Sequence, residues 1–97
     1  MTYSIWKYDI PITGEDIIID MPFGSKILLF QLQNDEFQIE IPTIWVLVQK
    51  DMPLETRVFK SYGTGMEIEN TENLIYIGTV VMNVGIFVYH LFEKVKK

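Results

Sequence analysis

The chain has no cysteine, one histidine and one arginine. It also has no long apolar run. Each scarcity excludes something. Without cysteine there is no disulfide, no thiol nucleophile and no thiolate metal site. A single His90 cannot supply a multi-histidine metal site or relay. Apolar stretches such as Ile27–Phe30 and Val80–Met82 fall far short of the roughly 20 residues of a membrane helix. The first ten residues carry Trp6, Lys7, Tyr8 and Asp9, so they do not read as a signal peptide. With neither cysteine nor signal, the cytoplasm is the default location. Eight basic residues against 13 acidic ones give a net charge of −5. That balance argues against a nonspecific binder of long DNA or RNA, which needs a positive face.

What is present is a rich set of β-formers. With 97 residues, 48% hydrophobic and 13% aromatic, the chain reads as a single domain over residues 1–97 with one modest core. Tyr3–Ile10 alternates, with Trp6 and Tyr8 on one side and Ile5, Lys7 and Asp9 on the other. Pro11 then stops the ladder. Ile17–Asp20 is a short β-branched run, ended by Met21-Pro22-Phe23-Gly24. Lys26–Gln33 is a strand, and Phe37–Ile41 reads as a short arm pairing back after Asn34-Asp35. Thr43–Gln49 is the most apolar strand, expected to be central and covered on both faces, with Trp45 in the core. Asp51–Glu55 is a loop and Thr56–Tyr62 a strand, in which Arg57, Phe59 and Ser61 share one face. Met66–Asn73 is an acidic surface loop. Leu74–Met82 and Ile86–Glu93 form the clearest hairpin, joined by Asn83-Val84-Gly85 with one glycine at positive φ. The basic end, Lys94–Lys97, reads as frayed. No helix is evident. About seven strands at roughly ten-residue spacing predict an all-β fold, either a small sandwich or a partly closed antiparallel barrel.

The candidate functional residues each carry two readings. Gly63-Thr64-Gly65 is either a plain strand breaker or a backbone cradle for an anion. His90, on the face of Val88 and Phe92, is either a hydrogen-bonded core residue or a ligand contact. Arg57 is either one half of an ion pair or a forked donor to phosphate or carboxylate. If Arg57 and Ser61 face out, Lys60 and Tyr62 face in, and Lys60 needs a partner there. Trp6 and Tyr8 share a face that is either core or a stacking platform for a base. Phe23, Leu29, Phe37, Tyr89 and Phe92 are candidates for a subunit contact. No P-loop, nucleophile elbow or Gly-x-Gly-x-x-Gly occurs. No partner for His90 is visible by spacing, so an enzyme is not expected.

An ordered set of short pieces carries a family resemblance. Ile5-Trp6-Lys7-Tyr8 and Ile10-Pro11-Ile12 open it, followed by Met21-Pro22-Phe23-Gly24-Ser25-Lys26-Ile27-Leu28. Gln31 and Gln33, Ile44-Trp45-Val46-Leu47-Val48, then Arg57 with Tyr62-Gly63-Thr64-Gly65, continue it. Tyr76-Ile77-Gly78-Thr79 and Phe87-Val88-Tyr89-His90-Leu91-Phe92-Glu93 close it. Over the whole chain this order resembles a family of short phage-encoded proteins similar to the anti-CBASS sponges. The Asn34–Glu40 segment is longer than that family's usual link. The resemblance implies a tetramer-favouring homo-oligomer in the host cell cytoplasm. Its implied activity is holding a cyclic dinucleotide, such as cyclic GMP–AMP, without cleaving it. The segments matched to a pocket supply Trp6, Tyr8, Arg57, Tyr62, Gly63, Thr64 and Gly65.

The residues themselves are compatible with that implication. A cyclic dinucleotide needs planes for its two bases and cations or amides for its two phosphates. Trp6, Tyr8, Tyr62, Arg57, Lys60, the Gly63–Gly65 turn and His90 are the expected ligand residues, with no catalytic or metal residues and no cofactor. The alternative is a non-enzymatic phage interaction or structural protein that binds a host or virion protein.

Overall fold

A computed structural model describes residues 2–95. Among them are seven strands and no helix. The strands are β1 (Tyr3–Asp9), β2 (Ile17–Pro22), β3 (Lys26–Asn34), β4 (Glu40–Gln49), β5 (Leu54–Gly63), β6 (Leu74–Met82) and β7 (Phe87–Lys94). All pairings are antiparallel. One sheet has the order β1-β4-β3 and the other β2-β5-β7-β6. The fold is therefore all-β, a sandwich rather than a closed barrel.

Period-two alternation decides what lies between the sheets. From β4, Ile44, Val46 and Val48 point inward and are fully buried. Phe30 joins them from β3. The other sheet supplies Ile17 and Met21, then Phe59, Leu91 and Val80. Burial of each such side chain is worth about 1.5–3 kcal/mol, so this layer holds the sheets face to face.

One margin of the sandwich is shut by a close approach of β3 to β6. Both strands are bulged there, between Ile27 and Leu29 and between Tyr76 and Gly78. Gly78 makes the approach possible. A Cβ built on it would lie 3.3 Å from Cβ of Phe30. The opposite margin, between β1 and β2, has no comparable contact among the described residues.

Several expectations from sequence need correction. Pro22 ends β2 rather than standing outside it, and Leu54 and Glu55 belong to β5. The cause is the same in both cases, since Met21 pairs with Glu55 and Pro22 with Leu54 at the edge of the sheet. No separate arm covers Phe37–Ile41. Instead Asp35 accepts backbone N–H bonds from Phe37 and Ile39 in a tight loop, and the chain enters β4 at Glu40. β4 is central but is covered on one face only, because Trp45, Leu47 and Gln49 are half-buried on the outer face. The β6–β7 turn uses positive φ at Asn83, Val84 and Gly85, not at the glycine alone. Lys94 completes β7 instead of fraying, and Val95 N–H donates to Asn73 C=O at 2.8 Å. The rest of the expected basic tail, residues 96–97, lies outside the described residues.

Gly78→Val is expected to lower stability by about 1–3 kcal/mol through overpacking against Phe30, and Gly78→Ala by less. A urea titration would show this as a lower midpoint with an unchanged slope. An unchanged midpoint would mean that β6 yields at its bulge.

Candidate functional site

The direction of β5 decides which candidates meet. Phe59 is fully buried, so Arg57 and Ser61 also face inward. Val58, Lys60 and Tyr62 therefore lie on the outer face of the four-stranded sheet. Register brings Phe92 opposite Lys60 and His90 opposite Tyr62 on β7, with Tyr76 and Thr79 alongside on β6. The loop of residues 64–73 runs over this face.

The result is a pocket of about 290 Å³ lined by Tyr62, Gly63, Thr64, Gly65, Met66, Ile68, Tyr76, His90 and Phe92. Phe92 meets Tyr62 edge-on at 5.7 Å between ring centroids and meets Tyr76 at 5.5 Å. These edge-to-face contacts fix the rings as a firm apolar floor. A chain of polar groups crosses the pocket. His90 Nε2 lies 2.8 Å from Thr64 Oγ1, and Nδ1 lies 2.9 Å from Thr79 Oγ1. Thr79 Oγ1 is in turn hydrogen-bonded to the Tyr76 hydroxyl. Both imidazole nitrogens are thus engaged within the protein, so His90 presents its ring to the pocket and holds the Thr64 turn in place.

A second cleft, about 620 Å³, adjoins the first, and the two share Tyr62 and Ile68 in their walls. Lys60 and Lys94 line it, facing Glu67, Glu69, Asn70 and Asn73 of the loop. Lys60 Nζ sits 5.2 Å from the Tyr62 ring centroid, a cation–π distance. Lys94 pairs with Asp16 at 2.7 Å, with both side chains substantially exposed. In combination the clefts offer aromatic rings at one end and, at the other, two ammonium groups among carboxylates, that of Lys94 already paired with Asp16.

Of the residues expected from sequence, Lys60, Tyr62, Gly63, Thr64, Gly65 and His90 come together here. Trp6, Tyr8 and Arg57 do not. Trp6 and Tyr8 lie on the inner face of the other sheet, where Tyr8 packs against the core. Burial raises the Tyr8 phenol above its ordinary pKa, which keeps it neutral. Arg57 lies between the sheets and grips both carboxylate oxygens of Glu93, each at 2.7 Å, while also donating to the Ser25 carbonyl. Its side chain is 14% exposed and that of Glu93 12%, so no ligand fork remains free. The anion-cradle reading of the Gly63–Gly65 turn also fails for most of its amides. Gly63 N–H donates to Met66 Sδ, Thr64 N–H to Val88 C=O, and Met66 N–H to Gly63 C=O. Tyr76, Thr79 and Lys94 are residues of the clefts that the sequence reading does not single out. Tyr76 and Phe92 were within reach of sequence reasoning, because they are direct cross-strand partners in the β6–β7 hairpin.

Arg57 is consequently a structural residue. The Glu93 hydrogen bonds raise its pKa further, against an opposing effect of desolvation. A raised folded-state value stabilises below the unfolded pKa and is lost only as pH rises through the folded one. The pair therefore adds no pH dependence near neutrality from the guanidinium. Arg57→Ala leaves the Glu93 carboxylate unpaired between the sheets and is expected to destabilise by about 3 kcal/mol. Chemical denaturation of Arg57→Ala, and of Arg57→Met with Glu93→Leu, tests this. The double variant should recover most of the loss, and equal losses in both would refute the unpaired-charge account.

No helix of the described residues is long and apolar enough to cross a membrane. Among the same residues no cluster of His, Cys, Asp or Glu could hold a metal ion. No curated protein and no solved structure matches the chain. One family does match, over residues 1–97, and the chain belongs to it: the domain of unknown function DUF7352.

Proposed function

We propose that this protein is a non-enzymatic binder of a small ligand that carries both planar bases and phosphate. In the form implied by the resemblance, it is a phage-encoded sponge. It sequesters a cyclic dinucleotide in the host cytoplasm and holds it without cleaving it. The observation that carries this reading is the joined pair of clefts on the outer face of the β2-β5-β7-β6 sheet. Tyr76 and Phe92, backed by the buried Tyr62, form the stacking end, and Lys60 and Lys94 form the cationic end. Base–aromatic stacking is worth about 1–3 kcal/mol per base. The ammonium groups suit phosphate oxygens, while Glu67 and Glu69 on the loop repel free polyanions and favour a ligand of low charge. A holding function is supported by the His90 geometry, since its two nitrogens keep hydroxyl partners rather than a carboxylate.

A second reading has its own observation. Tyr3, Ile5 and Leu29 are exposed on the outer face of the three-stranded sheet. That face favours an interaction protein that docks on a host or virion protein.

A thermal-shift screen with cyclic dinucleotides, and linear dinucleotides as controls, separates the two. A ligand at about 100 times its dissociation constant adds about 2.7 kcal/mol, or roughly 10–20 °C for a domain of this size. Tyr76 is 57% exposed, so Tyr76→Ala should still fold, with a melting temperature lowered a few degrees by loss of the Phe92 contact, and should lose the ligand-induced shift. Intact ligand recovered after denaturation supports holding over cleavage. No shift with any cyclic dinucleotide sinks the sponge reading.

A further inference from the structure

The backbone of β1 has an open edge with its own symmetry. Lys50 N–H donates to Thr2 C=O, and Ile10 N–H donates to Pro42 C=O. Antiparallel pairing alternates, so the even-numbered residues of β1 direct their main-chain groups at β4. The odd ones, Tyr3, Ile5, Lys7 and Asp9, direct theirs away. Among the described residues β1 pairs with β4 alone. Four N–H and four C=O groups therefore form an unpaired row. The other sheet edges are defended. β3 is packed against β6, β6 is bulged at Tyr76–Gly78, and β2 carries Asp20 and Pro22. β1 has no proline, no bulge and no inward-pointing charge. Of the features that protect an edge it carries only two charged side chains, Lys7 and Asp9, on its outer face, and Lys7 is turned back across the sheet to Gln33.

We propose that a second copy of this chain pairs with that edge, β1 against β1 in antiparallel register about a two-fold axis through Trp6. In that register Tyr3 faces Asp9 of the second copy and Ile5 faces Lys7. Every outward main-chain group then finds a partner, in eight interchain hydrogen bonds by the alternation rule. No like charges oppose each other. A two-fold axis through Lys7 would set that ammonium against its copy. An axis through Ile5 would leave Asp9 without a partner among the described residues. The Trp6 axis also brings Trp6 beside its own copy, and Trp6 is 37% exposed here although it points inward. The result is a continuous six-stranded sheet with β1 of both copies at its centre. An isologous contact of this kind closes at two copies. It lies on the sheet opposite the ligand clefts, and it stands whether or not the ligand reading does.

The test is a charge pair at one exposed site. Ile5 is 59% exposed, so substitution there should leave the fold intact. Ile5→Lys places an ammonium opposite Lys7 of the second copy, twice by symmetry. Ile5→Glu places a carboxylate there. Cross-strand charge pairs scale the expected change to about fivefold in the dimer dissociation constant, weaker for Ile5→Lys and unchanged or tighter for Ile5→Glu. Analytical ultracentrifugation over a concentration series reads this, with circular dichroism confirming the fold. Lys7→Pro removes an outward N–H without touching the β4 ladder, and it should abolish the dimer. A monomeric wild type, dimers of equal strength from both Ile5 variants, or equal weakening in both overturns the Trp6-centred register.

Discussion

The guanidinium of Arg57 lies between the two sheets, held by both oxygens of Glu93 and by the carbonyl of Ser25. Three parts of the chain meet at that group: β5, β7 and the turn between β2 and β3. Because successive strand residues face opposite ways, a one-residue slip in β5 would expel Phe59 from the core and expose Arg57. The ion pair and the buried ring therefore enforce the same register. With Arg57 inside, Lys60 and Tyr62 must be outside. The outer pocket is a direct consequence of where one arginine side chain points.

That constraint also explains how lysines reach the clefts of an acidic chain. The lone arginine is consumed structurally, and the cations that remain near the clefts are lysines at β5 and β7 positions facing the same way. The acidic loop of residues 64–73 passes over them. Its side chains Met66 and Ile68 give the pocket an apolar wall, while Glu67 and Glu69 limit its net charge. Thr64, tied to His90, anchors the loop where it leaves β5. Packing of the sheets thus leaves two different outer surfaces. One is a recess beneath a loop that joins aromatic rings to lysines and glutamates, and the other is a sheet face with exposed Tyr3, Ile5 and Leu29 that ends in an open edge at β1.

Much of this was legible in the residues. Alternation in Tyr3–Asp9, turn residues at Asn34-Asp35 and the Leu74–Met82 hairpin pattern all report local backbone geometry, which the nearest neighbours in sequence dictate. The cluster of Lys60, Tyr62, Gly63, Thr64, Gly65 and His90 was partly legible for the same reason, since five of the six are close in sequence. Trp6 and Tyr8 were grouped with them because aromatic and polar character is visible in a sequence, whereas sheet membership is not. They entered the other sheet when β1 paired with β4 across more than thirty residues of chain.

The amino-acid sequence by itself determined an all-β chain of alternating faces, its turns, and the chemical types of side chain available to a site. Those depend on φ/ψ preference and period-two burial, which act within a few residues. Tertiary structure alone decided that Arg57 faces Glu93, that His90 is held between Thr64 and Thr79, and that Tyr62, Tyr76 and Phe92 share a floor. The physical reason is that the sign of a strand's face is set by its long-range partners. Both faces of β5 carry one cation and one large ring, Arg57 with Phe59 and Lys60 with Tyr62. Only burial of Phe59 against the opposing sheet distinguished the core from the site.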